Sequence, residues 1–512
     1  MAIYVFSLLV GIVPSGVDNA QGYRASMLKD ISQPVFHIFT ELPGKKYINR
    51  YRQAGIDESQ MLCLHHYLTG HSILNSSVKT TDKLKELKKN LHYSHLDYRG
   101  NEVRLLKDGV ILATVVSDED KVECCSKILY FDNAKLFREE TYTDGIFYVD
   151  YYVTAKSDNG SYAKRVRRTF YNRDGSVAYD QIYEGEKELY HFPEGRLCCT
   201  KMQLMTEFIK RLHLSEQDTV IIDRPSYFDY EQPLFQYGGK ARFIAVLHAR
   251  HYLEKFEDSY DLYLNKEQYY WFKYSKMIDA MVVSTQEQKE ELIQKLQEYN
   301  CTVPIVEVIP AGGIKQLRYP ERNRKPYSLL AVSRLDSPKK VDWIIRSVIK
   351  AHRKNSNISI DIYGSGGDVQ SLKELVSADN AQSYIKFMGY MDVAEVYKEY
   401  EVFISASLGE SFGLSTMEAV GAGDAVIGLD VKYGNHLFIR SGENGYLVDY
   451  NTGYVSGDDS RLIDDMSDKI VEIFKDEERL KKFHQKSYEI GKNFFADRIR
   501  EKWIRLLFSK EK

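Results

Sequence analysis

Two acids stand eight positions apart in Glu410-Ser411-Phe412-Gly413-Leu414-Ser415-Thr416-Met417-Glu418, with a glycine between them. The stretch follows an apolar run, Val402 to Ser405, that reads as a strand, and it opens a helix. With only its later part helical, Glu410 lies in the loop above the sheet's C-terminal edge. Glu418 then lies about a turn or more into the helix. Backbone N–H groups near Gly413 and Leu414 face the same crevice. A helix N-terminus of small residues binds phosphate, and carboxylates accept paired hydrogen bonds from vicinal hydroxyls. The spacing therefore reads as a nucleotide-sugar cradle, with Glu418 on a ribose diol, Gly413 and Leu414 on a diphosphate, and Glu410 on the sugar. An ordinary capped helix has the same spacing, so its neighbours must decide.

Arg334 and Lys339 sit in Ser333-Arg334-Leu335-Asp336-Ser337-Pro338-Lys339-Lys340, directly after the strand Tyr327 to Ser333. Ligands of open α/β sheets bind at that carboxyl edge, and two fixed cations can stabilise a departing diphosphate. A solvated basic loop is the plain alternative. Tyr363-Gly364-Ser365-Gly366-Gly367-Asp368 ends another strand, as a phosphate approach or as a simple turn. His248, in His248-Ala249-Arg250-His251-Tyr252, also ends an apolar strand. It reads as a core histidine alone and as a group beside the transferred sugar if a cradle faces it. Tyr433-Gly434-Asn435-His436 lines a donor pocket or forms a turn. Gly11-Ile12-Val13-Pro14-Ser15-Gly16 precedes a helix but lacks G-x-G-x-x-G, so no NAD fingerprint is present.

The elements that must position these groups come in three textures. Residues 1 to about 75 run strand (2–10), glycine turn, helix (17–28) and strand (35–39), the start of a Rossmann-like unit. From about Leu91 to Cys199, Asp108-Gly109, Asp144-Gly145, Asn159-Gly160, Asp174-Gly175, Gly185 and Glu194-Gly195 punctuate Tyr/Val/Ile-rich segments. That is an antiparallel β-meander. From Lys201 onward, helix 201–213 and the apolar runs 219–223, 243–248 and 280–284 complete the first unit as buried parallel strands. A second α/β unit carries strands 327–333, 359–363, 385–388, 402–405 and 425–428, after a hinge from Pro310 to Pro326. Phe495, Ile499, Trp503 and Leu507 form one stripe of a last helix that docks on the protein's own core. The expected division is 1–75 with 201–315, an insert 76–200, a nucleotide-sugar domain 316–490, and a C-terminal helix 491–512 packing back on the first domain.

Composition narrows the classes. The 512 residues carry 70 Lys and Arg against 73 Asp and Glu, a balance that excludes a strongly basic nucleic-acid binder. Eleven prolines argue against long disordered linkers. The 39 tyrosines suit β-rich packing or sugar-facing surfaces. Cys63, Cys124, Cys125, Cys198, Cys199 and Cys301 lack zinc spacing and read as reduced, mostly core thiols. No cation precedes the apolar N-terminal run, which reads as a buried strand rather than a signal peptide. No run approaches the ~20 residues of a membrane span. A cytoplasmic protein, at most peripherally associated with membrane, is expected.

Two Rossmann-like units, the R-x4-K pair Arg334/Lys339 and the E-x7-E pair Glu410/Glu418 resemble retaining glycosyltransferases of the GT-B fold. The β-rich insert, Arg334-Leu335 with Lys339 and Asp342-Trp343, the 362–367 loop and the 248–252 segment narrow the resemblance to the GtfA-type protein O-glycosyltransferases of Gram-positive bacteria. These modify serine-rich repeat adhesins exported by an accessory secretion system. The resemblance implies a UDP-N-acetylglucosamine or UDP-glucose donor, a serine-rich acceptor, and a partner subunit or homo-oligomer. It implies no cofactor and no catalytic metal. It implies Arg334 and Lys339 on the diphosphate, Glu410 on the sugar 3-hydroxyl region, Glu418 on the ribose, Gly16 near the donor phosphate and His248 by the sugar. Lys340 departs from the pattern, since a small residue is commoner there. With no evident covalent nucleophile, same-face attack aided by the leaving phosphate is expected. The alternatives are a poly(polyol-phosphate) wall teichoic acid glycosyltransferase and a non-catalytic partner subunit. Retention of Arg334, Lys339, Glu410 and Glu418 together argues against the latter.

Overall fold

The computed structural model describes residues 1–7, 16–53, 56–73, 76–157, 160–185, 187–198, 200–223, 231–250, 269–450 and 459–508. By density of internal contacts the chain divides into two units. One comprises Met1–Leu9, Gln33–Val220 and Pro225–Arg242, and the other Val10–Ser32, Ile221–Arg224 and Phe243–Lys512.

The apolar runs become short strands buried on both faces, as parallel sheets require. Val220, Ile221, Ile222, Ile244, Ala245, Ala280 and Met281 are all fully buried. The seven-stranded sheet has the order Ile305–Val308, Ala280–Val283, Arg242–Val246, Thr219–Ile222, Ile3–Ser7, Val35–Phe39, Met61–Cys63. Ile3–Ser7 pairs in parallel with Val35–Phe39, and Ala280–Val283 with Ile305–Val308. The expected strand at 2–10 is described only over Ile3–Ser7, and the loop Gly11–Ser15 lies outside the described residues. Met61–Cys63 and Ile305–Val308 are strands that the sequence reading passes over.

The six-stranded sheet runs Ile385–Gly389, Ser359–Tyr363, Ser328–Val332, Val402–Ser405, Ala425–Leu429, Gly445–Val448, and every pairing is parallel. In chain order this is 3-2-1-4-5-6. The winding reverses between Ser328–Val332 and Val402–Ser405, and a doubly wound sheet opens its ligand crevice at such a reversal. Helix Val341–Lys354 covers the sheet with Trp343, Ile344, Ile345, Val348 and Ile349, all buried.

The meander is a sheet of ten antiparallel strands taken in chain order from His95–Arg99 to Leu197–Cys198. Five predicted glycines, Gly109, Gly160, Gly175, Gly185 and Gly195, carry positive φ at its turns. The turn Asn133-Ala134 achieves the same geometry without glycine, at φ 47° and 63°, and so escaped the sequence reading. Helix Thr80–Leu91 also escaped it, between the expected start of the insert at 76 and the start of the meander near Leu91. It puts Leu87 into a core with Leu105, Ala113, Val115, Cys125 and Ile128. Cys63, Cys124, Cys125 and Cys198 are buried; Cys199 lies outside the described residues.

The last helix is Ala496–Phe508, with Ile499, Trp503, Leu506 and Leu507 buried. Phe495 is not part of it. It precedes the helix in extended conformation and bridges to Ile314, while Phe494 fills the core. Arg500 Nε donates to Met27 O at 3.0 Å, tying this helix to helix Gly16–Leu28. Among the described residues no helix is long and apolar enough to cross a membrane.

Burial in the first unit yields a pH prediction. Desolvation holds His65 and His66 down to about 3, from an ordinary 6.5. Nearby positive partners, Arg168 for His65 and His71 for His66, push the same way. The unfolded chain therefore binds more protons than the folded one between these values. Stability is full above 6.5 and falls as pH drops, by up to about 1.4 kcal/mol per pH unit for each ring. Guanidinium denaturation should show its midpoint declining steadily from pH 6.5 downward. A midpoint that stays flat over the first unit of pH below that value contradicts the burial of these rings.

Candidate functional site

Arg334 follows strand Ser328–Val332 by two residues, on a loop laced to the glycine loop beside it. Ser333 N donates to Tyr363 O at 3.1 Å, Leu335 N to Ser365 O at 2.9 Å and Asp368 N to Leu335 O at 3.0 Å. Gly364 lies at φ 138°, and a Cβ there would meet Ser333 O at 1.9 Å. The glycines thus let two loop backbones touch. Arg334 Nη1 pairs with Asp336 Oδ2 at 2.9 Å, and its side chain is 48% exposed.

Lys339 ends the 3-10 turn Ser337–Lys339. Its Nζ lies 3.1 Å from Ser407 Oγ and 2.5 Å from Glu410 Oε1. Leu408 N donates to Pro338 O at 3.1 Å, so backbone as well as side chains join the two loops. The R-x4-K loop follows the first strand of the sheet and the Glu410 loop follows the fourth, so the pair stands at the winding reversal. Lys340 takes φ 46° to start the next helix. This left-handed position suits glycine, which accounts for the small residue usual there.

Gly413, at φ 85°, precedes helix Leu414–Gly421, whose first turn has no side-chain cap. Glu418 is the fifth residue of that helix. Tyr23 Oη donates to its Oε1 at 2.8 Å and Tyr397 Oη to its Oε2 at 3.0 Å. Burial pushes the Glu418 carboxyl up, and the two phenols, then Arg318, pull the other way. Gly434 N donates to Glu410 O at 2.8 Å, and Tyr433 bridges to Glu410. Tyr433 is held at φ 75°, ψ −94°, a strained region for a non-glycine residue. Glu287 Oε2 accepts from its amide at 3.0 Å.

His248 Nε2 lies 2.8 Å from Asp223 Oδ1, and Asp223 Oδ2 lies 2.5 Å from Arg24 Nη2. His248, Arg24, Val246, Ser284, Ala311 and Trp503 line a small cleft. Gly16 begins its helix exposed, and a Cβ there would meet nothing within 4 Å. No crowding demands a glycine at that position. His251 and Tyr252 lie outside the described residues.

Residues 326–475 match the family described as glycosyl transferases group 1. Residues 96–194 match the GtfA extended beta-sheet domain. The chain is 32% identical to the UDP-N-acetylglucosamine–peptide N-acetylglucosaminyltransferase GtfA subunit of Streptococcus gordonii, over 99% of this chain and 98% of that one. The chain belongs to the GtfA family of glycosyltransferases. Its backbone superposes on the pneumococcal O-GlcNAc transferase GtfA in complex with UDP and GlcNAc, at TM-score 0.87 and 32% identity, covering 99% and 98% of the two chains. It also matches a chain of a GtfA/B complex, at TM-score 0.86 and 31% identity, covering 99% of each. The fold is GT-B, with two Rossmann-like domains and an antiparallel β-sheet domain.

Among the expected residues, the structure brings together Lys339 and Glu410, and sets Gly413 and Leu414 at a helix start. Arg334 stays on the surface of its loop, and His248 sits with Asp223 rather than in contact with any of these. For this GtfA-family chain, sequence reasoning missed Tyr23 and Tyr397 on Glu418, Asp223 on His248, Arg24 on Asp223, and Glu287 on Tyr433. Asp223 carried a readable signal, as an acid ending an apolar strand. The others are set by packing between segments far apart in sequence.

Gly364→Ala tests the two-loop contact. Its Cβ would force Ser333 aside at a strained φ, so stability should fall by about 2 kcal/mol or more and UDP binding should weaken with it. An unchanged melting temperature together with unchanged UDP affinity contradicts the assignment.

Proposed function

We propose that the chain is a retaining transferase that moves N-acetylglucosamine from UDP-N-acetylglucosamine to Ser or Thr hydroxyls of a serine-rich peptide acceptor. The observation that carries this reading is the Lys339–Glu410 pair, 2.5 Å apart at the winding reversal of the second sheet. The names of the full-length relatives support the donor, the sugar and the peptide acceptor. The complex of GtfA with GtfB supports a partner subunit. Action in the cytoplasm, where UDP-sugars are made, fits this donor.

In this reading Arg334 and Lys339 hold the diphosphate, and Gly413 and Leu414 offer it backbone N–H groups at a helix N-terminus. Glu418 takes the ribose diol, with Tyr23 and Tyr397 fixing its two oxygens. Glu410 takes the sugar, and Lys339 sits between it and the phosphate. The bond from the anomeric carbon to the phosphate oxygen breaks, and its electron pair leaves with UDP. The acceptor oxygen attacks the same face, and its proton passes to the departing phosphate. The two cations stabilise the charge that develops on the leaving group. Gly16 approaches the donor phosphate, and His248 stands beside the sugar. No step calls for a cofactor or metal.

The test is incubation of the purified chain with its partner subunit, UDP-N-acetylglucosamine and a Ser-rich peptide, read by intact mass. The peptide should gain whole N-acetylhexosamine increments, and EDTA should leave the rate unchanged. Arg334→Ala and Lys339→Ala should each slow transfer about a hundredfold or more, since one charged contact to a leaving group is worth roughly 2.7–4 kcal/mol. No increment, dependence on an added divalent metal, or near-normal turnover in either variant contradicts the reading.

A further inference from the structure

We infer that Asp223 and Arg24 are positioning residues that lock His248 in one tautomer, with its Nε2 hydrogen bound to Asp223 and its Nδ1 presented to the cleft as an acceptor. The inference rests on the reading of His248 as the group beside the transferred sugar, and it names what orients that group.

Three separate segments meet here. Arg24 comes from helix Gly16–Leu28, Asp223 directly follows strand Thr219–Ile222, and His248 follows strand Arg242–Val246 by two residues. Asp223 is fully buried and Arg24 nearly so. A buried ion pair is seldom the most stabilising way to fill a core, because both charges lose their water. This one is placed where its carboxylate still has an oxygen for the imidazole. Oδ2 takes Arg24 at 2.5 Å, and Oδ1 takes His248 at 2.8 Å.

A carboxylate only accepts, so the hydrogen in the second contact belongs to Nε2. A neutral imidazole has one donor and one acceptor, which makes Nδ1 the acceptor. Among the described residues no hydrogen bond falls on Nδ1. His248 and Arg24 both line the cleft, with Trp503 beside them, and the Arg24 guanidinium lies 5.4 Å from the Trp503 ring centroid.

The electrostatics agree with this geometry. Burial alone would raise the Asp223 carboxyl, but Arg24 above all outweighs it and holds it well below the usual carboxylate range. Asp223 therefore stays an acceptor whatever the His248 ring contacts. In the proposed reaction, Nδ1 accepts the hydrogen of a sugar hydroxyl. The wrong tautomer would offer that hydroxyl a second donor instead.

Two measurements test this. The first is the nitrogen-15 histidine spectrum of the full chain with UDP bound, with the His248 signals assigned by their loss in His248→Gln. The Nε2–H pattern is expected, and an Nδ1–H pattern overturns the inference whatever any variant does. The second is Asp223→Asn, which keeps the shape and can donate to Nε2, reversing the tautomer. Its turnover should fall roughly tenfold to a hundredfold with UDP affinity unchanged by calorimetry. Arg24→Lys, which keeps the charge, should retain more turnover than Arg24→Met. Wild-type turnover in folded Asp223→Asn overturns the inference, and if that variant does not fold, the spectrum decides. Full turnover in His248→Gln would sink the reading beneath the inference instead, and the spectrum tells these two failures apart.

Discussion

One ion pair ties the proposed donor site together. Lys339 and Glu410 belong to loops that follow different strands, yet they meet at 2.5 Å with only about a fifth of each side chain exposed. The loops diverge in sequence because the sheet reverses its winding between these strands, and they converge in space for the same reason. A surface pair of this kind would contribute little. Here it fixes a cation and an acid at one edge before any donor arrives. In the proposed reading, a diphosphate at Lys339 meets an ammonium oriented by Glu410 and Ser407.

The rest of the second sheet's edge serves to hold those loops still. Glycine 364 lets the 333–336 and 363–368 backbones lie against each other. Tyr433 accepts a strained conformation whose amide is held by Glu287, and the next residue hydrogen-bonds the Glu410 carbonyl. Such strain persists only where the surroundings over-determine it, and here the surroundings include the proposed sugar-binding acid. Glu418 is secured differently. Two phenols donate to its two oxygens, which satisfies a desolvated carboxyl.

Much of this was readable from the chain. The strands Val35–Phe39, Ser359–Tyr363 and Val402–Ser405 emerge at the bounds their apolar runs suggest, because strands buried on both faces leave an unbroken hydrophobic signature. Arg334 and Glu410 stand in loops that follow strands, and Glu418 inside a helix, as the sequence suggests. What stayed hidden depends on long-range packing. Nothing local marks Tyr23 as the partner of a residue 395 positions away, or Arg24 as the partner of Asp223. Short edge strands such as Met61–Cys63 carry too few residues to show a period. Helix Thr80–Leu91 was masked by the β-rich texture that follows it, and Phe495 looked helical because it stands four residues before Ile499, one position ahead of the helix start at Ala496.

The central claim is a division of labour between the two acids, with Glu410 serving the sugar and Glu418 serving the nucleotide. Calorimetric titration of UDP into the wild type, Glu410→Gln and Glu418→Gln measures it directly, because UDP keeps the ribose and lacks the transferred sugar. The account predicts that Glu418→Gln weakens UDP binding clearly, while Glu410→Gln binds UDP nearly as the wild type does and loses transfer. Equal loss of UDP affinity in both variants, or loss only in Glu410→Gln, would contradict it.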